Sequence, residues 1–297
     1  MEITEYYKNI KRPLVLDGAI GSLLQQRGVI MDKALWSSLA NVIAPEEVIK
    51  LHREYINAGA EIITTNTFRT NPTAYEQSSL KISISEFIKK SVELTRIAKG
   101  KTENIFIAGS NPPAEDSYQS SRKLSRNKIE ANHKTHIDLL WENGVDFVLN
   151  ETQSHLDEIK IICEHCNRNK IPFIVSLFIN FDGKLLSGEP IDYVLDYLYL
   201  QAPIAVGINC VAPVTFKKIM TQIIFKIPWG YYLNCGSGKY TDAEIFEGVS
   251  TTEYIGIVDK YLEKNPLFIG TCCGSNPQHT KKIKEYLIGK YNGKSIR

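Results

Sequence analysis

Eight short apolar runs recur along the chain, each followed by a segment of helical period, and this alternation limits the fold more than any other feature. The runs are Leu14–Asp17, Glu61–Thr65, Ile105–Ser110, Asp146–Glu151, Phe173–Phe178, Ile204–Cys210, Gly230–Cys235 and Leu267–Cys272. Most are continuously apolar, the pattern of parallel strands buried on both faces. Between them the spacing predicts helices over Pro45–Asn57, Ile84–Ala98, Arg126–Glu142, His155–Asn167, Tyr193–Leu200, Thr215–Ile224, Thr252–Glu263 and Pro277–Ile288. Pro45 suits a first helical turn, and Val48, Leu51, Tyr55 and Ile56 recur at three- and four-residue spacing. Eight strand-then-helix units are the count of a closed (β/α)8 barrel, an α/β TIM barrel. The chain has 297 residues, and such a barrel takes about 250. The reading is therefore one domain over 1–297, with two small domains as the alternative. An open doubly wound sheet is the competing topology, but its first turn usually reads G-x-G-x-x-G. Here that turn is Asp17-Gly18-Ala19-Ile20-Gly21-Ser22.

Composition removes several function classes. Hydrophobic residues make up 43% and charged residues 23%, with a net charge of +2. That is a globular mix, too apolar for disorder and without the basic footprint of a nucleic-acid binder. No run approaches the ~18 apolar residues of a membrane span. The opening MEITEYYKNIKRP lacks the apolar core of a signal peptide. The expectation is a cytoplasmic protein in a reducing compartment. Its six cysteines then read as thiols, catalytic or metal-binding, rather than disulfides.

In a barrel the C-terminal strand ends form the active-site face. The residues predicted there are Asp17, Thr65-Asn66-Thr67, Ser110-Asn111, Asn150-Glu151-Thr152, Asn209-Cys210, Asn234-Cys235 and Cys272-Cys273. Two carboxylates and four thiols thus meet on one rim. Thiolates from separate strand ends suit Zn2+, which prefers tetrahedral sulfur and nitrogen ligands. Three protein ligands with an open position make a catalytic site; four make a closed structural one. Cys272 and Cys273 come from the last strand, Cys210 from two strands away, and Cys235 lies between as a candidate fourth ligand. The plainer reading is four small buried hydrophobes.

These residues carry a resemblance. Leu16-Asp17-Gly18-Ala19-Ile20-Gly21, Arg27-Gly28, Leu35-Trp36-Ser37, the Pro45–Asn66 block, Asp146–Thr152 (DFVLNET), Gly207-Ile208-Asn209-Cys210 and Gly270-Thr271-Cys272-Cys273-Gly274-Ser275-Asn276-Pro277 resemble the homocysteine S-methyltransferase family. The last two segments are the specific ones. The resemblance implies a (β/α)8 barrel, zinc held by Cys210, Cys272 and Cys273, and substrate amine bound by Asp17 and Glu151. It implies methyl transfer to homocysteine, giving methionine. Cys235 falls outside the motif, where Ser is common in the family. The turn Ser110-Asn111-Pro112-Pro113-Ala114 departs from the G-P-Y-G-like turn of stand-alone enzymes that use S-methylmethionine. Thr65-Asn66-Thr67-Phe68 is instead similar to the methionine-synthase module. The chain stops soon after the cysteine element, so the expectation is an enzyme without folate or cobalamin domains or the long extension of betaine enzymes. S-methylmethionine or S-adenosylmethionine is therefore the expected donor, with betaine- or folate-linked transfer as the alternative. A monomer or small homo-oligomer is expected.

Further residues follow from the chemistry. N–H groups of the Gly18–Ser22 turn, Gly18 and Ala19 among them, suit the substrate carboxylate. Asn66, Thr67 and Asn234 are candidates to orient substrate. A cationic methyl donor suits aromatic faces, and Phe68, Tyr118, Phe178 and Tyr231 are the candidates. The polar stretch Asn111–Ser125 is predicted to form a lid or binding loop. Gly236-Ser237-Gly238-Lys239 falls short of a phosphate loop, which needs a Gly where Leu233 stands and Ser or Thr in place of Tyr240. Cys163 and Cys166 read as one half-buried helix face, and His155 as a helix-start residue. Two other classes compete: a non-catalytic zinc barrel with four cysteine ligands, acting as a binding module, and a zinc hydrolase, which usually uses His or carboxylate ligands.

Overall fold

The computed structural model describes residues 2–237 and 245–292. Gly238 and Lys239 of the glycine-rich turn lie outside them. The barrel strands are β1 (Leu14–Val15), β2 (Ile62–Thr64), β3 (Phe106–Asn111), β4 (Phe147–Gln153), β5 (Phe173–Leu177), β6 (Ala205–Asn209), β7 (Trp229–Leu233) and β8 (Phe268–Thr271). All pair in parallel, in the order β1-β8-β7-β6-β5-β4-β3-β2. The seam closes through the Glu61 N–H to the Val15 carbonyl at 2.7 Å and the Asp17 N–H to the Ile62 carbonyl at 2.9 Å. This is the predicted (β/α)8 barrel. A two-residue hairpin, Gly236–Ser237 with Phe246–Glu247, sits on its rim.

Each strand is followed by a helix: α1 (Pro45–Asn57), α2 (Ile84–Lys99), α3 (Arg126–Glu142), α4 (Leu156–Asn169), α5 (Ile191–Gln201), α6 (Pro213–Ile219), α7 (Thr251–Tyr261) and α8 (Pro277–Asn292). Seven lie within a few residues of the expected bounds. The exception is α6, which stops five residues before the expected Ile224. Ile223 is buried but Ile224 is 81% exposed, so the apolar stripe does not continue. The chain instead turns to stack Phe225 on Trp229 at 4.4 Å.

Strand period sorts the side chains into two layers. One set fills the barrel interior, led by Leu14, Leu16, Ile62, Phe106, Phe147, Leu149, Ile174, Tyr232 and Phe268. The alternate set packs outward against the helices. Gly230 faces Phe268, whose ring lies 2.5 Å from where a Cβ would stand, so only glycine leaves room for it. The N-terminal helix Ile3–Ile10 covers the bottom of the barrel, with Ile3 buried in the interior cluster. Cys163 and Cys166 are fully buried on α4 rather than half-buried, and burial pushes the Cys166 thiol up to about 12 and Cys163 higher still. They act as small apolar residues.

Candidate active site

The strand ends surround a cavity of about 870 Å3 at the C-terminal face. Its most distinctive chemistry is sulfur. The Sγ atoms of Cys210, Cys272 and Cys273 lie within 4.8 Å of one another, the one such metal-capable cluster among the described residues. Cys210 to Cys273 is 3.8 Å and Cys272 to Cys273 is 4.0 Å. A tetrahedral zinc with Zn–S bonds of about 2.3 Å needs sulfurs about 3.8 Å apart. The trio therefore fits such an ion with little movement. Hydrogen bonds from Cys272 and Cys273 hold the Cys210 thiol well below its usual range. Their shared hydrogen bonds with Cys210 hold Cys272 and Cys273 well above it. The cluster thus carries one thiolate readily.

Backbone strain aims these sulfurs. Cys210 has φ 55° and Thr152 has φ 59°, a region that side chains with a Cβ seldom enter. Asn209 ties the two together: its Oδ1 accepts the Thr152 N–H at 2.9 Å, and its Nδ2 donates to Thr152 Oγ1 at 2.8 Å. The Cys210 N–H donates to the Tyr232 carbonyl at 3.0 Å, and the Cys272 N–H to the Leu233 carbonyl at 2.8 Å. Gly274, φ 78°, lets the loop after Cys273 pass Gly236, whose Cα would lie 2.3 Å from a Cβ there.

Cys235 does not join the trio. It is buried, and its Sγ faces the Leu233 carbonyl at 3.6 Å. Its N–H donates to the Cys273 carbonyl at 2.8 Å, so it braces the cluster through backbone. A closed site of four cysteines is not assembled.

Two carboxyls complete the floor. Asp17 is 2% exposed, and its Oδ2 accepts the Thr64 N–H at 2.7 Å and the Thr64 hydroxyl at 3.1 Å. Burial pushes it well above the usual carboxylate range, and the Glu151 charge adds to this. Glu151 accepts from the Ser110 hydroxyl and, at 3.3 Å, from the Tyr232 hydroxyl. Burial raises it to about 7, against those two hydrogen bonds and with help from Cys210.

The other predicted residues divide. Gly18, Ala19, Asn66 and Asn234 line the cavity. The Ala19 N–H already donates to Ser275 Oγ at 3.0 Å. Asn66 bonds to the Ser37 carbonyl and to Asn41, so its amide braces the loop after β1. Thr67 is fully buried, outside the cavity lining, and its hydroxyl donates to the Ser110 carbonyl at 2.8 Å. Among the aromatics, Phe68 and Tyr118 line the cavity, and the Tyr118 hydroxyl lies 3.1 Å from Cys210 Sγ. Phe178 backs Tyr118 edge-on at 5.0 Å. Tyr231 points the other way, into the helix layer against Phe216 at 4.9 Å. The inward tyrosine is its neighbour Tyr232. His155 stands at the start of α4, as expected, with Nδ1 near Ser154.

Comparison with known proteins decides the family. The homocysteine S-methyltransferase family profile matches residues 14–287. The chain belongs to the homocysteine S-methyltransferase family. Similar members include homocysteine S-methyltransferase of Escherichia coli K12, 28% identical over 91% of this chain and 94% of that protein. Homocysteine S-methyltransferase 2 of Arabidopsis thaliana is 24% identical over 93% of each. Selenocysteine Se-methyltransferase of Brassica oleracea var. italica is 24% identical over 93% of this chain and 89% of that protein. The metallated form of the homocysteine methyltransferase MmuM from Escherichia coli shares the fold, with a TM-score of 0.80 at 23% identity over 96% of this chain and 99% of that one.

The cavity of this family member also has lining residues that motif reading passed over. Trp36, Thr64, Arg69 and Tyr232 all line the cavity. Trp36 was legible only as part of a matching segment, and Arg69 only as the residue after Phe68. No helix among the described residues is long and apolar enough to cross a membrane.

Proposed function

We propose that this protein transfers a methyl group from a sulfonium donor to the thiol of homocysteine, giving methionine, at a zinc site made by Cys210, Cys272 and Cys273. The carrying observation is the convergence of three sulfurs, at the spacing of a zinc tetrahedron, beside two buried carboxyls in a chain of this family. Homocysteine's thiol has a reference pKa of about 8.5 and is mostly protonated at neutral pH. Zinc, when bound, supplies it as the thiolate.

The chain's own residues do the rest. Asp17 and Glu151 hold the substrate ammonium, fixed by Thr64, Ser110 and Tyr232. Phe68, Tyr118 and Trp36 offer aromatic faces to a cationic donor. Acceptor sulfur attacks the methyl carbon in line. The bond from methyl to donor sulfur breaks, its electron pair stays on that sulfur, and the donor leaves as a neutral sulfide. The donor's lost positive charge cancels the thiolate's negative one. Buried walls favour that neutralisation.

Metal analysis and a donor panel test this. The purified protein should hold about one zinc per chain. Cys210→Ala, Cys272→Ala and Cys273→Ala should each lose the metal and the methyl transfer. S-methylmethionine or S-adenosylmethionine should give methionine where betaine and methylated folate do not. Full activity in a zinc-free double variant ends the proposal.

A further inference from the structure

The cavity continues past the sulfurs to a second polar end, and its chief group is Arg69. This residue follows the turn that ends β2. Its N–H donates to Ser38 Oγ at 3.1 Å, which fixes it to the loop after β1. The half-buried guanidinium lines the cavity, lies 5.7 Å from the Phe68 ring centre, and touches the Glu115 carbonyl through Nη1 at 3.5 Å. It forms no ion pair within 4.0 Å among the described residues; burial lowers it, and the nearby Asp116 and Tyr118 offset this only in part. A guanidinium does not give up its charge in a protein. Its planar fork suits a carboxylate, bound through two parallel hydrogen bonds.

The loop between β3 and α3 joins this end to the sulfurs. Glu115 touches Arg69, and three residues on, the Tyr118 hydroxyl reaches Cys210. One loop segment, Glu115 to Tyr118, thus touches both ends of the cavity. Glu115's carboxylate is spent on the Lys123 and Leu124 N–H groups of the same loop. Asp116 lines the cavity mouth beside Arg69, exposed, with Oδ1 accepting the Tyr118 N–H. Arginine and aspartate side by side make a zwitterion receptor.

We propose that Arg69 and Asp116 dock the methyl donor by its free α-carboxylate and α-ammonium, so that the donor is an amino-acid sulfonium. This rests on the transfer reaction proposed above. S-methylmethionine and S-adenosylmethionine share that chemistry, with three carbons from sulfonium to the carboxylate-bearing end. Betaine does not: its carboxylate lies one carbon from the methylated nitrogen and it has no α-ammonium to pair with Asp116. Arg69 is a specificity-determining residue, and the acceptor keeps Asp17 and Glu151.

The experiment compares wild type, Arg69→Ala and Arg69→Lys, all zinc-loaded. Donors are S-methylmethionine, S-adenosylmethionine and trimethylsulfonium, which has no carboxylate. Arg69→Ala should raise the KM for both amino-acid donors about tenfold or more, the loss expected for a charge-assisted contact. The homocysteine KM and turnover of trimethylsulfonium should stay within about twofold, and Arg69→Lys should recover part of the loss. Equal loss with trimethylsulfonium, a raised homocysteine KM, or no change would overturn the inference. Calorimetric titration of S-methylmethionine separates this from failure of the reaction itself. If wild type turns over no donor, binding that Arg69→Ala weakens still supports the docking site, and binding it leaves unchanged refutes it.

Discussion

Glu151 holds a proton until about pH 7, because burial outweighs its hydrogen bonds from Ser110 and Tyr232. An ammonium group pairs with the ionised form alone. Affinity for homocysteine should therefore rise as pH rises through about 7, and its KM should fall several-fold from about pH 6 to about pH 8. Deprotonation of the acceptor thiol gives the same sign, so the Glu151→Gln variant provides the contrast. It should raise the homocysteine KM about tenfold and remove the part of the pH dependence centred near 7. An unchanged KM profile in that variant would take Glu151 out of the amine site. At this scale the sequence was readable where motif and strand end coincide: Asp17, Glu151, Cys210, Cys272 and Cys273 all reach one cavity or cluster. It misled at Tyr231. A strand apolar on both faces shows no alternation, so nothing in Gly230–Cys235 says which of two adjacent tyrosines points inward.

Among elements, the loop between β3 and α3 was visible as a polar stretch, but what pins it was not. Glu158, buried on α4, accepts the Ala114 N–H at 2.8 Å, Arg122 Nη1 at 2.7 Å and His133 Nε2 at 2.6 Å. Burial alone would raise this carboxyl; the bond from His133 leads the effects that bring it down to about 2. The Asn111 amide donates to His133 Nδ1 at 3.2 Å, which leaves Nε2 as the protonated nitrogen facing Glu158. Both ends of the loop are thereby clasped to α3 and α4, with Tyr118 held over Cys210 between them. A depressed carboxyl stabilises the fold fully above its unfolded value, about 4.3, and that contribution is lost as pH falls through about 2. Glu158→Gln should destabilise the protein by about 1–3 kcal/mol, since the charge-assisted bonds to His133 and Arg122 are lost while Arg122 keeps Asp157 at 2.6 Å. Urea denaturation measures this. The variant should also raise the donor KM more than the homocysteine KM, because the loop carries the proposed donor end. These partners lie more than twenty residues apart along the chain, so no local pattern in Asn111–Ser125 reveals them.

For the whole molecule, eight alternating runs sufficed to read a barrel, since eight parallel strands buried on both faces have few other ways to remove their edges. How the ends of the chain close it was not legible. At the bottom, Glu61 accepts two hydrogen bonds from Arg12, at 2.8 and 2.6 Å, and the Val15 N–H at 3.1 Å; Lys284 Nζ lies 2.8 Å away. These groups join the segment before β1, the start of β2 and the last helix α8. The β1 strand has two residues, so the seam has little sheet of its own. Burial would raise Glu61, yet Arg12 and Lys284 hold it below its ordinary value. Its contribution is thus present at neutral pH and lost in acid. The staple sits on the face where barrel residues serve stability rather than chemistry. Glu61→Gln keeps the shape but leaves two cations beside a neutral amide. It should cost roughly 3–5 kcal/mol in urea denaturation, while kcat and both KM values stay within about twofold of wild type at 25 °C. A change in KM without a loss of stability would mean that the two faces of the barrel are coupled, and that the seam, not the rim alone, sets the positions of Asp17 and Thr64 at the top of the first two strands.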